Sequence, residues 1–400
     1  MKHEDIATFL ATGDHAGAVG TVRFDAEELR HGKERETVME TVTGAPRISL
    51  YRGEADAPDV RRVKVSWDGG EIDLLPTKGL SIGSYKHGEW EPFWEPVRPG
   101  LISPDAENLL GPVLVHGEPV QSLRWLENFA GCVELLGLSN WGMPLPEKER
   151  NIVLPLHGEA SHIPITVMRV SVGQREVLIQ GSFNLNPKWW KEPESDTPWY
   201  QRGDAAWRVE RTILLRLDTP AMEFVDSLTN LTDQPATPDW GYHLQFRAEP
   251  GAELIIPSRE MSSRFGGEVE DAFRTWKRAE KPGERVERGY IHKGLETEES
   301  PLGTPVVAGS ARYPSGPNTR FLIPLAAYTL SWFSSGGKGS LEFSLPESPK
   351  ESLIPVPWNG MGPEIGASAL DHDGNVDPAV VHAPVEPGRA CRLYFRIEAE

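Results

Sequence analysis

FAGCVELLGLSNWGMPLPEKERNIVLPLHGEASHIP, residues Phe129 to Pro164, is the stretch from which the fold is read. An apolar run from Val133 to Leu138 leads into Asn140, Trp141 and Gly142. A charged loop follows, and a second run from Ile152 to Leu156 delivers His157, Gly158, Glu159 and His162. Apolar runs of roughly four to eight residues bounded by Gly, Pro and Asn predict strands. Polar side chains gathered at strand ends are where a rigid scaffold carries chemistry, so the candidate active site is sought here.

Outward from this stretch the pattern repeats. Strands are expected at Arg47 to Tyr51, Arg62 to Trp67, Ile165 to Val172, Glu176 to Phe183, Trp207 to Leu217, Met222 to Leu228, Arg320 to Phe333 and Ala390 to Glu398. Between them fall 39 Gly and 35 Pro, which act as turn punctuation. The run beginning at Trp207 alternates strictly, then turns apolar on both faces. Helical periodicity is confined to His3 to Thr12 and to the polar segment Glu27 to Glu40. The reading is a mostly β chain, a large antiparallel sandwich with each sheet packed on one face and partly wet on the other. There is no repeat, heptad or low-complexity tract. The segments Lys188 to Asp204 and Arg278 to Pro305 read as long surface excursions.

At 400 residues the chain makes one or two domains. No apolar run approaches the roughly 20 residues a membrane helix requires, and the first residues lack the apolar core of a signal peptide. Cys132 and Cys391 read as two unpaired thiols in a reducing compartment, so a cytoplasmic location is expected. A formal charge of −18 repels a phosphate backbone and makes nucleic acid a poor partner. The 13 Trp residues fit a sugar site, where ring faces stack on aromatics, as well as they fit a core.

Several stretches, in order, resemble the galactose-mutarotase-like (aldose 1-epimerase) superfamily, in particular a bacterial aldose-epimerase-like branch. They are LLPTKGLSIGSY (Leu74 to Tyr85), WEPVRPGLISP, FAGCVELLGLSNWGMP, LPLHGEASHIP, WRVERTILLRLDTPAMEFVDSLTNLTDQP and YHLQF (Tyr242 to Phe246), covering roughly residues 60 to 250. The C-terminal VEPGRACRLYFRIE is similar to the family's final strand. The resemblance implies a β supersandwich over residues 61–400, with residues 1–60 as an N-terminal extension of a short helix and edge strands. It also implies a small-molecule carbohydrate partner, isomerase chemistry and no cofactor. A His protonates the sugar's ring oxygen while a Glu removes the anomeric proton, a division of labour that needs one group near its own pKa and one basic carboxylate.

Carried over by position, His243 matches the general acid and His157 the second sugar-contacting His. Asn140 and Arg211 match hydroxyl contacts, with Trp141, Glu159 and His162 beside them. The late catalytic Glu has no clean match; Glu342, Glu347 and Glu364 all stand near the expected strand. Where the branch carries Arg, Asp and Thr, this chain has Lys78, Ser81 and Glu134, and where Arg follows the His-Gly pair it has Glu159.

Those carboxylates open an alternative. His157, Glu159, His162, Glu134 and His243 could hold a divalent metal ion, which would polarise a keto-sugar for isomerisation, epimerisation or elimination. A third class is a carbohydrate-binding protein without turnover. No phosphate loop, dinucleotide fingerprint or nucleophile elbow is present, and Asp371 to Asn375 reads as a turn, since it lacks the full ligand run of a calcium loop.

Overall fold

The structure is a computed structural model, and it describes residues 6–12, 17–96, 100–115, 117–140, 142–148, 151–191, 195–263, 266–269, 274–275, 288–324, 329–335, 341–344, 354–356, 360–366 and 384–400. All statements below concern these residues. Trp141, Glu347 and the Asp371 to Asn375 turn lie outside them.

Every strand ladder among them is antiparallel. Ten strands form the larger sheet, whose central members run Val167–Val172, Glu176–Leu185, Trp207–Arg216, Ala221–Asn230, Ala390–Ala399 and Thr319–Pro324. Gly20–Asp25 makes one edge, pairing with Val167–Val172. A seven-stranded sheet faces it, built in the order Ser258–Ser263, Arg288–Leu295, Thr329–Ser335, Gly360–Gly366, Asp239–Leu244 and Val133–Leu138, with Phe246–Arg247 also on Gly360–Gly366. Rings interlock between the two: Tyr242 meets Phe395 at 4.2 Å and Phe246 stacks on Phe321 at 5.2 Å between centroids. A five-stranded meander from Arg35–Val38 to Ser81–His87 completes the framework.

The strand Trp207–Arg216 follows its sequence: buried and exposed residues alternate, then both faces are covered. The cover is the helix Ile6–Thr12, whose Ile6 and Phe9 pack with Leu178, Leu214, Val225 and Tyr394 on the sheet's outer face. Burying a side chain of that size contributes on the order of 2 kcal/mol, so a short helix holds there through packing, its own propensity being too weak.

Three expectations are corrected. The polar helix at Glu27 to Glu40 is only Ala26–His31, opened by an Asp25–Glu28 capping box and closed at Gly32, and Arg35–Val38 is a strand. Arg320 to Phe333 is two strands in different sheets, Thr319–Pro324 and Thr329–Ser335; proline cannot donate to a ladder, and the first strand stops there. The excursions are partly structured. Trp189, Trp190, Trp199 and Tyr200 are buried, with the Trp199 indole N–H bonded to the Pro104 carbonyl at 3.0 Å, and Arg288–Leu295 is a paired strand. Both cysteines are free thiols. No described helix is long and apolar enough to cross a membrane.

Candidate active site

Three neighbouring strands set the register of the site. Within Asp239–Leu244, His243 stands opposite Glu134 of Val133–Leu138 on one side and opposite Glu364 of Gly360–Gly366 on the other. Directly opposed residues of an antiparallel ladder share a face of the sheet. The sequence thus aligns a Glu-His-Glu row across three strands.

His157 is brought to this row by a tight turn. Its φ is +58°, its N–H donates to the Gly142 carbonyl at 2.8 Å, and its own carbonyl accepts from Gly137 N–H at 2.9 Å. The next residue must be glycine: Gly158 has φ +73°, and a Cβ there would lie 2.3 Å from the Asn140 carbonyl oxygen and 2.6 Å from that of Gly137. Only a residue without a side chain lets the two segments touch.

The result is an aromatic cluster around one indole. The rings of His157 and His243 meet edge-on, centroids 5.3 Å apart. Trp125 contacts both, at 4.8 and 5.9 Å, and Phe129 closes on His243 at 5.0 Å. His157 is 8% exposed, Phe129 6% and His243 3%, so the cluster is buried with its outer edge at His157 and Phe129. The Gln245 amide nitrogen lies 2.9 Å from Nδ1 of His243. With the amide nitrogen donating, Nδ1 accepts and the neutral ring carries its hydrogen on Nε2; with the amide turned, its oxygen, which has no other partner, accepts from Nδ1–H and the ring can hold a second proton on Nε2.

A buried charged group also stands against Trp125. Lys78, whose Nζ stands 6.0 Å from the Trp125 centroid, reaches Oε1 of Glu134 at 3.5 Å and Nε2 of His162 at 3.4 Å. His162 Nδ1 then lies 2.8 Å from Glu107 Oε1, which also accepts from the Asn128 amide. Lys78, Glu134 and His162 are wholly buried. Burial, and then the Lys78 ammonium, hold the His162 imidazole below its usual pKa. Its neutral form fits both bonds: Nε2 accepts from Lys78 and Nδ1–H donates to Glu107. The second oxygens of Glu134 and Glu107 have no partner.

The other candidates go elsewhere. Glu159, 0% exposed, turns to the end of its neighbouring strand, accepting from the N–H groups of Leu138 at 3.2 Å and Ser139 at 3.1 Å and from the Ser139 hydroxyl. Burial pushes its carboxyl up to about 7 in spite of these bonds. Asn140 is a loop clamp: its amide donates to the carbonyls of Gly142, Met143 and Pro155. Arg211 is a bolt between the sheets, paired with Asp226 at 2.8 and 2.9 Å and donating to the Val133 and Leu80 carbonyls at 2.8 and 3.3 Å. The hydroxyl contacts expected of Asn140 and Arg211 are therefore corrected, since backbone and Asp226 hold their polar atoms.

The five residues of the metal alternative split into two groups and a remote carboxylate: His157 with His243, His162 with Glu134 across Lys78, and Glu159 on the strand end. No group of three or more His, Cys, Asp or Glu among the described residues is arranged to hold a metal ion. Sequence reasoning passed over Trp125, Phe129, Glu107 and Gln245; the signal for Gln245 was its spacing, two residues after His243 on the same face.

A cleft of about 630 Å³ lies across the wall formed by Trp94 and Phe129, lined by Arg62, Asp73, Lys86 and Glu91 among others. Two ion pairs stand on its lining, Arg62 with Asp73 at 3.1 Å and Lys86 with Glu91 at 2.5 Å, and Arg247 lies over the Tyr313 ring. The imidazole pair, with its unsatisfied carboxylates nearby, is the stronger candidate for chemistry.

The sequence profile of the family described as "Domain of unknown function (DUF4432)" matches residues 58–312. No curated protein matches the chain. A solved Klebsiella pneumoniae protein named a "putative aldose 1-epimerase" superposes with a TM-score of 0.69 at 16% identity, over 95% of this chain and 91% of that one. The Slr1438 protein of Synechocystis superposes at 0.53 with 12% identity, over 88% and 98%. A galactose mutarotase-like protein of Clostridium acetobutylicum superposes at 0.51 with 12% identity, over 92% and 98%. At such identities the likeness establishes the fold: a galactose mutarotase-like β supersandwich.

Proposed function

The chain belongs to the DUF4432 family, whose description assigns no activity, and we propose that it is a carbohydrate-active isomerase that interconverts the ring forms of a sugar by acid–base catalysis. The observation that carries this reading is the contact of His157 and His243, 5.3 Å apart in an aromatic cluster. Trp125, 1% exposed, backs the pair from within the core, and Phe129, 6% exposed, is the apolar ring beside it that a sugar could meet. His243, with its proton on Nε2, delivers it to the ring oxygen; His157 binds a neighbouring oxygen; a carboxylate on an adjacent strand takes the anomeric proton. The fold shared with proteins named for aldose epimerases supports the substrate class. Fold by itself does not assign chemistry, and the residues in register carry that part.

The sugar is neutral in this reading. Glu134 and Glu107 bring two buried carboxylates against one ammonium, a balance that disfavours an anionic ligand. The protein works in the cytoplasm, in keeping with two free cysteines.

The test is anomer exchange, followed by polarimetry on freshly dissolved α-D-glucose, α-D-galactose and a panel of other neutral aldoses. Native protein should speed equilibration of at least one, and His243→Gln should lower kcat about 100-fold or more. Native protein that leaves every sugar at its uncatalysed rate, yet binds one by calorimetry, would replace the isomerase with a binding module.

A further inference from the structure

We propose that Glu134 is the proton acceptor of the ring-opening step and that Lys78 is the residue that positions it. The inference rests on the isomerase reading above. It starts from register: Glu134 stands directly opposite His243, so their Cβ atoms share a face at roughly 5 Å. An acid and a base acting on adjacent oxygens of one pyranose need about that separation.

The second observation is an unpaired atom. Oε1 of Glu134 accepts from the Gly131 N–H at 2.7 Å and faces Lys78 at 3.5 Å, while Oε2 is buried without a partner. A carboxylate at zero exposure with one oxygen unsatisfied is costly and calls for a role. A sugar hydroxyl is the partner that would satisfy it.

The third is the scaffold behind it. Lys78 precedes two residues at positive φ, Gly79 at +58° and Leu80 at +59°, which is strained backbone for a leucine. The turn delivers the ammonium to Glu134 on one side and to His162 on the other, and Glu107 fixes the His162 tautomer. Lys78 thus aims Glu134, without having to touch the sugar.

The step balances. Glu134 Oε2 takes the proton of the anomeric hydroxyl as the C1–O5 bond breaks and the C1 carbonyl forms, and the His243 imidazolium, its Nδ1–H held by the Gln245 amide oxygen once that amide is turned, gives its Nε2 proton to O5 and is left neutral. After rotation about C1–C2, O5 attacks the other carbonyl face, returning its proton to His243 while O1 recovers the one held by Glu134. No redox change or co-reactant is involved.

The experiment compares Glu134→Gln, Glu364→Gln, Lys78→Met and His243→Gln on the best sugar of the panel, with circular dichroism to confirm folding. Glu134→Gln should lose about 100-fold or more in kcat with KM little changed, and formate should restore part of the turnover of Glu134→Ala. Lys78→Met should lower kcat with KM kept, where a merely structural role would lower only the folded fraction. A Glu134→Gln enzyme with native kcat beside an inactive His243→Gln enzyme would overturn this inference and leave the isomerase reading standing. Native turnover in His243→Gln would remove that reading, and this inference with it. If Glu134→Gln does not fold, Glu134→Asp keeps the charge opposite Lys78 but withdraws the oxygens by one methylene. Its kcat should fall at least about tenfold, and an unchanged kcat overturns the proposal.

Discussion

His243 and Gln245, two residues apart and on one face of the chain, are joined side chain to side chain, with the amide nitrogen 2.9 Å from Nδ1. Both are buried, His243 at 3% and Gln245 at 0% exposure. The way that amide faces Nδ1 determines whether the ring can hold a proton on both nitrogens, and so whether it can act as an acid toward a bound sugar.

Gln245→Leu should therefore act on kcat. The isosteric side chain keeps the packing but frees the tautomer, so turnover should fall about tenfold to 100-fold with KM nearly constant. A larger KM at constant kcat would make Gln245 a packing residue only.

Arg211 predicts a stability effect. Its guanidinium bridges Asp226 of the ten-stranded sheet to the Val133 carbonyl of the seven-stranded one, and both ionic partners are buried. Arg211→Met leaves a buried carboxylate and two carbonyls without donors, and should cost about 3–5 kcal/mol in urea unfolding. Arg211→Met with Asp226→Leu should recover part of that loss, because the uncompensated charge is gone. A double variant no better than the single one would put the energy in the carbonyl contacts.

How much of this was legible follows from what each residue touches. The strand around Val133 to Leu138 could be read because apolar periodicity is a local signal, whereas the meeting of His157 with His243 was implied only by the family resemblance. Arg211 could not be separated from a ligand contact: a buried arginine in a strand reads alike whether its partner is a sugar or Asp226, and only the register opposite Asp226 decides it. Glu159 misled for a related reason. Its place two residues after His157 made it a candidate ligand, but His157 and Gly158 both have positive φ, which turns the chain and sends the carboxylate away. Glu107 left no local mark at all, since its role arises from contact with His162 far along the chain.

Gly158→Ala tests that turn. The added Cβ would strike the Asn140 and Gly137 carbonyls at 2.3 and 2.6 Å, and φ is +73°. Strain of about 1–3 kcal/mol from the dihedral alone, with the steric overlap added, should lower the urea midpoint and displace His157. Loss of sugar binding should exceed the loss of stability. A variant with native stability would mean that the 157–158 turn relaxes freely.

Glu159 predicts a pH dependence whose sign follows from its environment. Burial raises its carboxyl from the ordinary 4.5 to about 7, although the Ser139 hydroxyl and the amides of Leu138 and Ser139 all favour the anion. In that window the folded chain holds a proton that the unfolded chain has released. The stabilisation from Glu159 is thus fully present below pH 4.5 and is lost as pH rises through about 7, amounting to about 3 kcal/mol. To isolate Glu159, the quantity to measure is the urea stability of the native protein minus that of Glu159→Gln at several pH values. That difference should fall between about pH 5 and pH 8 and then level off. A flat difference would mean that the backbone N–H groups of the strand end hold Glu159 ionised throughout. The carboxylate would then be a fixed anchor for the Ser139 loop, and the Asn140 clamp beside His157 would keep its geometry across neutral pH.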